Sequence, residues 1–157
     1  MTTHPPSPDR LAAAVDELRR AAADGGVADA AAVEIVGRML AERLRPQHPD
    51  VIVGRDNIDD CVLTHVVCRE LDIPAVRVYE GSGLLSLSRH PTAGSRAALL
   101  AVAWSDLSPL RTLQRLLAND QVTVVAVAAA LPIPEPALPG PAGNPVATVT
   151  TTTDAPR

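Results

Sequence analysis

No lysine and no phenylalanine occur in the chain, and tryptophan and tyrosine appear once each. Without a lysine ammonium, Schiff-base chemistry and a Walker-type lysine clamp on phosphate are both excluded. An aromatic content of 1% leaves Val, Leu, Ile and Ala to fill the core, with almost no ring surface for stacking a base or sugar. Basic charge is also scarce. A net charge of −4 and a pI near 5.5 provide no basic surface to neutralise phosphates or an anionic bilayer, so neither nucleic acid nor a membrane is expected as a partner. The longest apolar run, residues 122–131, falls well short of the roughly 20 residues that span a bilayer. Residues 1–9 have neither the charged n-region nor the apolar h-region of a secretory signal, and cytoplasmic residence is the expectation. The two cysteines, Cys61 and Cys68, sit seven apart in a stretch of helical spacing, two turns from each other and out of disulfide reach.

What is present is the composition of one ordinary globular domain: 157 residues, 46% of them apolar and 20% charged. Ser7-Pro8 opens a helix with Leu11, Val15, Leu18 and Ala22 on one face, ended by Gly25-Gly26. Asp29 precedes a second, with Val33, Val36, Leu40 and Leu44 on one face, closed by Pro46. The β-branched run 51–54 reads as a buried strand, 58–71 as a helix and 75–79 as the next strand. Residues 84–88, flanked by Gly81, Gly83 and Pro91, read as a short excursion or flap. Two further strands, 97–103 and 122–128, are separated by a helix over 110–117. Strands alternating with helices in this way predict a three-layer α/β domain with a mostly parallel sheet and flanking helices. No internal repeat is present.

From Pro132 to the last residue there are seven prolines, together with five threonines between 148 and 153. Such a segment is expected to bury too little apolar surface to offset its ordering entropy. The chain therefore divides into a flexible N-terminus (1–8), an α/β domain (9–131) and a disordered Pro/Thr-rich tail (132–157).

The order of elements, and two stretches within it, resemble the type I phosphoribosyltransferases, most closely the orotate type. Pro49-Asp50-Val51-Ile52-Val53-Gly54 is similar to the strand entering that family's pyrophosphate loop, and 93–102 to the strand carrying its phosphoribosyl-pyrophosphate motif. The likeness runs over roughly residues 10–131 and is one of pattern more than of motif. In active members two consecutive acidic residues at the end of that second strand hold the ribose hydroxyls, and a Thr-Thr-Gly-Gly-like loop at a helix start grips the 5′-phosphate. Aligned on Thr112-Leu113, the acidic pair is replaced here by Trp104 and Ser105, and the phosphate loop by Ser108-Pro109-Leu110-Arg111. Asp106 is a single displaced carboxylate.

The resemblance implies residual phosphate and ribose contacts from Ser105, Asp106, Ser108, Arg111 and Thr112. Ser108-Pro109 reads equally as an N-cap followed by proline at the first helical position. Gly54, Arg55, Asp56 and Asn57 stand where the pyrophosphate loop belongs, where Asp56, Asp59 and Asp60 would surround a pyrophosphate with three carboxylates. The reading these residues favour is helix capping by Asn57 or Asp56, with Asp59 and Asp60 in the first turn. Arg77 and Arg89 flank the flap, either near pyrophosphate or as solvated surface charges.

Cys61, His65 and Cys68 share a helix face at i, i+4 and i+7. That spacing suits zinc, but three ligands on one straight helix is an unusual structural site, and no metal is expected. Nor is a cysteine nucleophile, because a mid-helix thiol packed toward a sheet is poorly exposed. The expectation is a phosphoribosyltransferase-like domain without transferase activity and without a catalytic residue, serving as a nucleotide- or phosphoribosyl-binding regulatory or assembly module. The family's habit of pairing implies a homodimer or another protein partner, with Trp104 either an exposed anchor for a partner or ligand or simply buried at the strand end. The alternative is an active purine or pyrimidine phosphoribosyltransferase with an atypical phosphate loop, Asp106 doing the ribose work alone; only then is Mg2+ expected as cofactor.

Overall fold

The computed structural model describes residues 5–105, 107–134, 138–140 and 143–152. Two helices come first, α1 (Pro8–Asp24) and α2 (Ala30–Leu44), followed by a 3₁₀ turn at Arg45–Gln47. The Ser7 hydroxyl accepts from the Arg10 amide, and the Asp29 carboxylate from the Ala31 amide at 2.8 Å, satisfying amides that a helix start leaves without partners. Then come β1 (Val51–Arg55), α3 (Ile58–Leu71), β2 (Ala75–Gly81), β3 (Leu84–Leu87), β4 (Arg96–Ala101), α4 (Ser108–Asn119), β5 (Thr123–Ala129) and β6 (Ala147–Thr150).

These strands form one sheet in the order β3-β2-β1-β4-β5-β6, parallel throughout except for the β2–β3 hairpin. The domain is thus α/β with a mostly parallel sheet, and the segment 84–88 is a hairpin strand rather than a loose flap. Alternation along the strands divides the core in two. Ile52, Ala98, Leu100, Ala126 and Ala128 pack against α1, α2 and α3. Val51, Val53, Ala97, Leu99 and Val127 pack against α4. Between β4 and β5 the register skips from Ala97–Val124 to Ala98–Ala126, so Val125 is a bulge and its neighbours Val124 and Ala126 face opposite layers.

Two glycines are required by close approach. A Cβ at Gly37 on α2 would lie 2.5 Å from Val66 Cγ1 on α3, and one at Gly54 on β1 would lie 2.3 Å from Thr64 Oγ1. That Thr64 hydroxyl is buried and has no hydrogen-bond partner among the described residues. Because a buried hydroxyl without a partner costs about 1–3 kcal/mol, Thr64→Val should stabilise the domain by roughly 1 kcal/mol in urea unfolding. Gly54→Ala should cost ~1–3 kcal/mol by overpacking. Combining it with Thr64→Ala should recover part of that loss, and strictly additive effects would show that the two sites do not press on each other.

The expectation of a disordered tail from 132, and of a domain ending at 131, is corrected by β6. Ala147–Thr150 pairs in parallel with Ala126–Ala129 of β5, and Leu138, Val146 and Val149 are buried at 2%, 5% and 7% exposure. Val146 N donates to Leu138 O at 2.9 Å, Thr151 Oγ1 to Ala130 O at 2.7 Å, and Arg43 on α2 to the carbonyls of Thr150 and Thr152. Sparse as they are, these apolar residues fall where β5 offers an open edge, and the edge supplies backbone partners that composition cannot reveal. Residues 135–137, 141–142 and 153–157 lie outside the described residues.

Candidate functional site

The sheet order places β1 between β2 and β4. The chain leaves β1 through α3 on one face to reach β2, and leaves β4 through α4 on the other face to reach β5. The carboxyl ends of β1 and β4 therefore diverge, which makes the crevice where ligands bind in open α/β sheets. A cleft of 190 Å3 opens there, lined by the β1 exit (Arg55, Asp56, Asn57), the β2 end (Val78, Tyr79, Glu80), Leu85, Trp104 and the start of α4 (Pro109, Leu113).

Behind the β1 exit, Asp60 is buried and holds the surrounding backbone together. Asn57 caps α3, its Oδ1 accepting the Asp60 amide at 3.0 Å, and its side-chain amide donates back to the Asp60 carboxylate. The other carboxylate oxygen accepts the Val102 amide at 2.6 Å just beyond β4, and Arg55 Nε lies 3.9 Å away. One buried side chain, 3% exposed, thus ties the start of α3 to the exit of β4 across the point where the strands diverge. Burial pushes the Asp60 carboxyl up, against the opposing pull of the Val102 amide, Asn57 and Arg55.

A carboxyl raised in the folded state binds its proton more tightly there than in the unfolded chain. Its contribution is fully present below the ordinary carboxylate range and is lost as pH rises through its own elevated range. The unmodified protein should therefore lose stability relative to Asp60→Asn as pH rises from 3 to 7 in denaturant titrations. A difference between the two that stays flat over this interval would contradict the raised carboxyl.

The other acidic residues near β1 are also occupied structurally, and Asn57 caps α3 with Asp59 and Asp60 in its first turn, the arrangement the capping reading expects. Asp59 accepts the Ala28 amide at 3.3 Å from the α1–α2 connection, and Asp56 pairs with Arg77 at 3.2 Å. Only Asp56 of the three lines the cleft. Gly54 is buried in β1 against Thr64, away from solvent. Arg89 donates to the Ala75 carbonyl at 2.9 Å at the opposite end of the sheet, and both flanking arginines are exposed.

Trp104 is not an exposed anchor. It is 3% exposed, its indole N–H donates to Ala128 O at 3.1 Å, and the Arg55 guanidinium lies over the ring at 5.9 Å. The ring bridges the ends of β4 and β5 and lines the inner end of the cleft. Ser105 is exposed beside it, and Asp106 lies outside the described residues. Helix α4 begins one residue earlier than the Ser108 cap predicts, with Leu107 at the capping position and Pro109 within the first turn. Arg111 and Thr112 are exposed on that turn, with Thr112 Oγ1 donating to Ser108 O at 3.1 Å. Leu110, matched by sequence to a phosphate-loop glycine, is instead fully buried against the sheet.

Cys61 and Cys68 are half-buried and His65 is exposed, and the described residues contain no group of three His, Cys, Asp or Glu placed to hold a metal. Burial pushes the Cys68 thiol up to about 12 and raises Cys61 as well, the opposite of an activated nucleophile. Among the described residues no helix is long and apolar enough to cross a membrane.

No family model and no curated protein sequence matches the chain. Solved structures do. Adenine phosphoribosyltransferase from Leishmania tarentolae superposes with a TM-score of 0.59 at 19% identity, over 78% of this chain and 74% of that one. The Trypanosoma brucei enzyme, in complex with AMP, pyrophosphate and ribose-5-phosphate, gives 0.62 at 16% identity, over 78% and 64%. The fold is that of the type I phosphoribosyltransferases. A third structure with this fold, a hypothetical protein from Neisseria gonorrhoeae with bound ppGpp, gives a TM-score of 0.53 at 16% identity over 77% and 78% of the two chains.

Within the phosphoribosyltransferase fold, sequence reasoning singled out the β1 exit and the start of α4, and both border the cleft. It passed over Asp60 as a ligand to the backbone and Glu80 as part of the wall. Alternation signals the second. Val78 is buried toward α4, so Glu80, two residues on, faces the same way.

Proposed function

We propose that this phosphoribosyltransferase-fold domain is a nucleotide- or phosphoribosyl-binding regulatory or assembly module that does not transfer phosphoribosyl groups. The observation that carries this is Trp104, buried at the end of β4 with its N–H on Ala128 O, at the position that the family pattern gives to a ribose-binding carboxylate. Transfer chemistry depends on positioned charge next to a cationic ribosyl centre, and an indole provides neither a carboxylate nor room for one. Binding makes fewer demands. The cleft keeps Arg55, Asn57 and Glu80 as polar groups among apolar walls, which suits a small ligand. The exposed Ser105, Arg111 and Thr112, with Ser108 in the same turn, are the proposed phosphate contacts. The Neisseria structure with ppGpp supports the view that this fold can hold a guanosine phosphate. The test is a melting-temperature screen with phosphoribosyl pyrophosphate and purine and pyrimidine nucleotides, since a ligand that binds only the folded state raises the melting temperature. Stabilisation by at least one of them, reduced by Arg111→Ala, is the expected result. No shift with any at millimolar concentration would overturn the binding role.

A further inference from the structure

The cleft has a polarity that the general fold does not dictate. Across the β2–β3 hairpin, Glu80 is directly opposite Leu85, and Val78 opposite Leu87. Directly paired residues share a face of the sheet, and Val78, Leu85 and Leu87 all pack toward α4, so Glu80 stands on that face as well. Pro109 and Leu113 of α4 form the facing wall, and Trp104 and Arg55 the inner end.

Within this enclosure the charges are unequally engaged. Arg55 lies beside Asp60 and over Trp104, and Asp56 is held by Arg77. Glu80 makes no ion pair or side-chain hydrogen bond among the described residues. A volume of 190 Å3 is below the roughly 300–1,000 Å3 of pockets that enclose a whole drug-sized ligand. It fits a single heterocycle with the remainder of the molecule outside.

We propose that this cleft takes a guanine base, read by the Glu80 carboxylate. Resting on the nucleotide-binding role above, the assignment follows from donor and acceptor chemistry. A carboxylate is an acceptor only, and it pairs in plane with two neighbouring N–H donors. Guanine presents such a pair, N1–H and the 2-amino group. Hypoxanthine keeps only N1–H. Adenine sets the lone pair of N1 beside its 6-amino group, and uracil flanks N3–H with two carbonyl oxygens, so each turns a lone pair toward the carboxylate. A site built to accept hydrogen bonds discriminates strongly against analogues that lack the donors, because its own acceptors are left unpaired. Glu80 also repels phosphate, which directs the phosphate end of the ligand away from the hairpin, toward Arg55 and the first turn of α4.

The single tryptophan reports on the site directly. Titrations of Trp104 fluorescence with GMP, IMP and AMP, checked by melting-temperature shifts, should rank GMP above IMP above AMP, with GMP at least tenfold tighter than AMP. Glu80→Gln, at an exposed position and with an unchanged unliganded melting temperature, should weaken GMP about tenfold and erase the ranking, because the amide keeps one acceptor oxygen and sets an N–H against the second of guanine's two donors. GMP and AMP binding equally, or a ranking that survives Glu80→Gln, would overturn the guanine assignment and leave nucleotide binding standing. If none of the three binds at millimolar concentration while phosphoribosyl pyrophosphate does, the base assignment alone fails. If nothing binds, the binding role fails with it.

Discussion

Deleting everything after Pro134 should lower the melting temperature by roughly 4–8 °C and leave a protein prone to associate. Leu138, Val146 and Val149 are buried at 2%, 5% and 7% exposure. Each such side chain contributes about 1.5–3 kcal/mol of burial, as an upper value. The deletion also uncovers the surface they protect on Val127 and Ala129, and removes the hydrogen bonds of Arg43 and Thr151. Ordering the tail costs conformational entropy that offsets much of this, so a net loss of ~2 kcal/mol is expected, and in a domain of this size that moves the melting point by roughly 4–8 °C. The larger consequence is at the edge. With β6 gone, β5 presents unpaired amides and carbonyls along Ala126–Ala129, an exposed template for another chain. Sedimentation of the shortened protein should show self-association beyond that of the full chain. Val149→Asp should reproduce the thermal loss in the full-length chain. An unchanged melting temperature in both variants would contradict the integration of β6 into the sheet.

The tail shows where reading the sequence stops. Helices α1 to α3 are legible because each has an apolar stripe and a cap in the chain itself: Ser7, Asp29 and Asn57 all accept backbone amides as their residue types suggest. Strands β1, β4 and β5 are legible as continuous apolar runs, the pattern of strands covered on both faces. β6 is not, since its pattern of alternating Thr and Val in a proline-rich context carries no signal without knowledge of the β5 edge that receives it. Asp60 is similar. In the sequence it is one of several acids near a helix start, favourable to the dipole; only the fold brings the Val102 amide, 42 positions away in the chain, to its carboxylate. Trp104 is a third case, since the sequence places it at the end of a strand while its burial depends on the Ala128 carbonyl one strand over.

Catalysis is where the same residues have their largest expected effect. In the family pattern, a pair of carboxylates at the end of β4 holds the ribose while pyrophosphate departs from a loop after β1. Here the first is Trp104-Ser105, with the indole packed and hydrogen-bonded, and the second is a segment whose Asn57 caps α3 and whose Asp56 is paired with Arg77. Removing a single preorganised group of this kind typically costs 10²- to 10³-fold in rate, so the proposed loss of both holders predicts no measurable transfer.

The most direct test incubates the purified full-length chain with Mg2+, phosphoribosyl pyrophosphate and adenine, guanine, hypoxanthine, orotate or uracil in turn, and measures nucleotide formed and pyrophosphate released. A module that binds without transferring gives no product above the uncatalysed background with any base, alongside a melting-temperature increase from at least one nucleotide. Nucleotide formed well above background by the unmodified chain, and abolished by Asp106→Asn, would contradict the account and establish a working transferase with a single ribose-binding carboxylate.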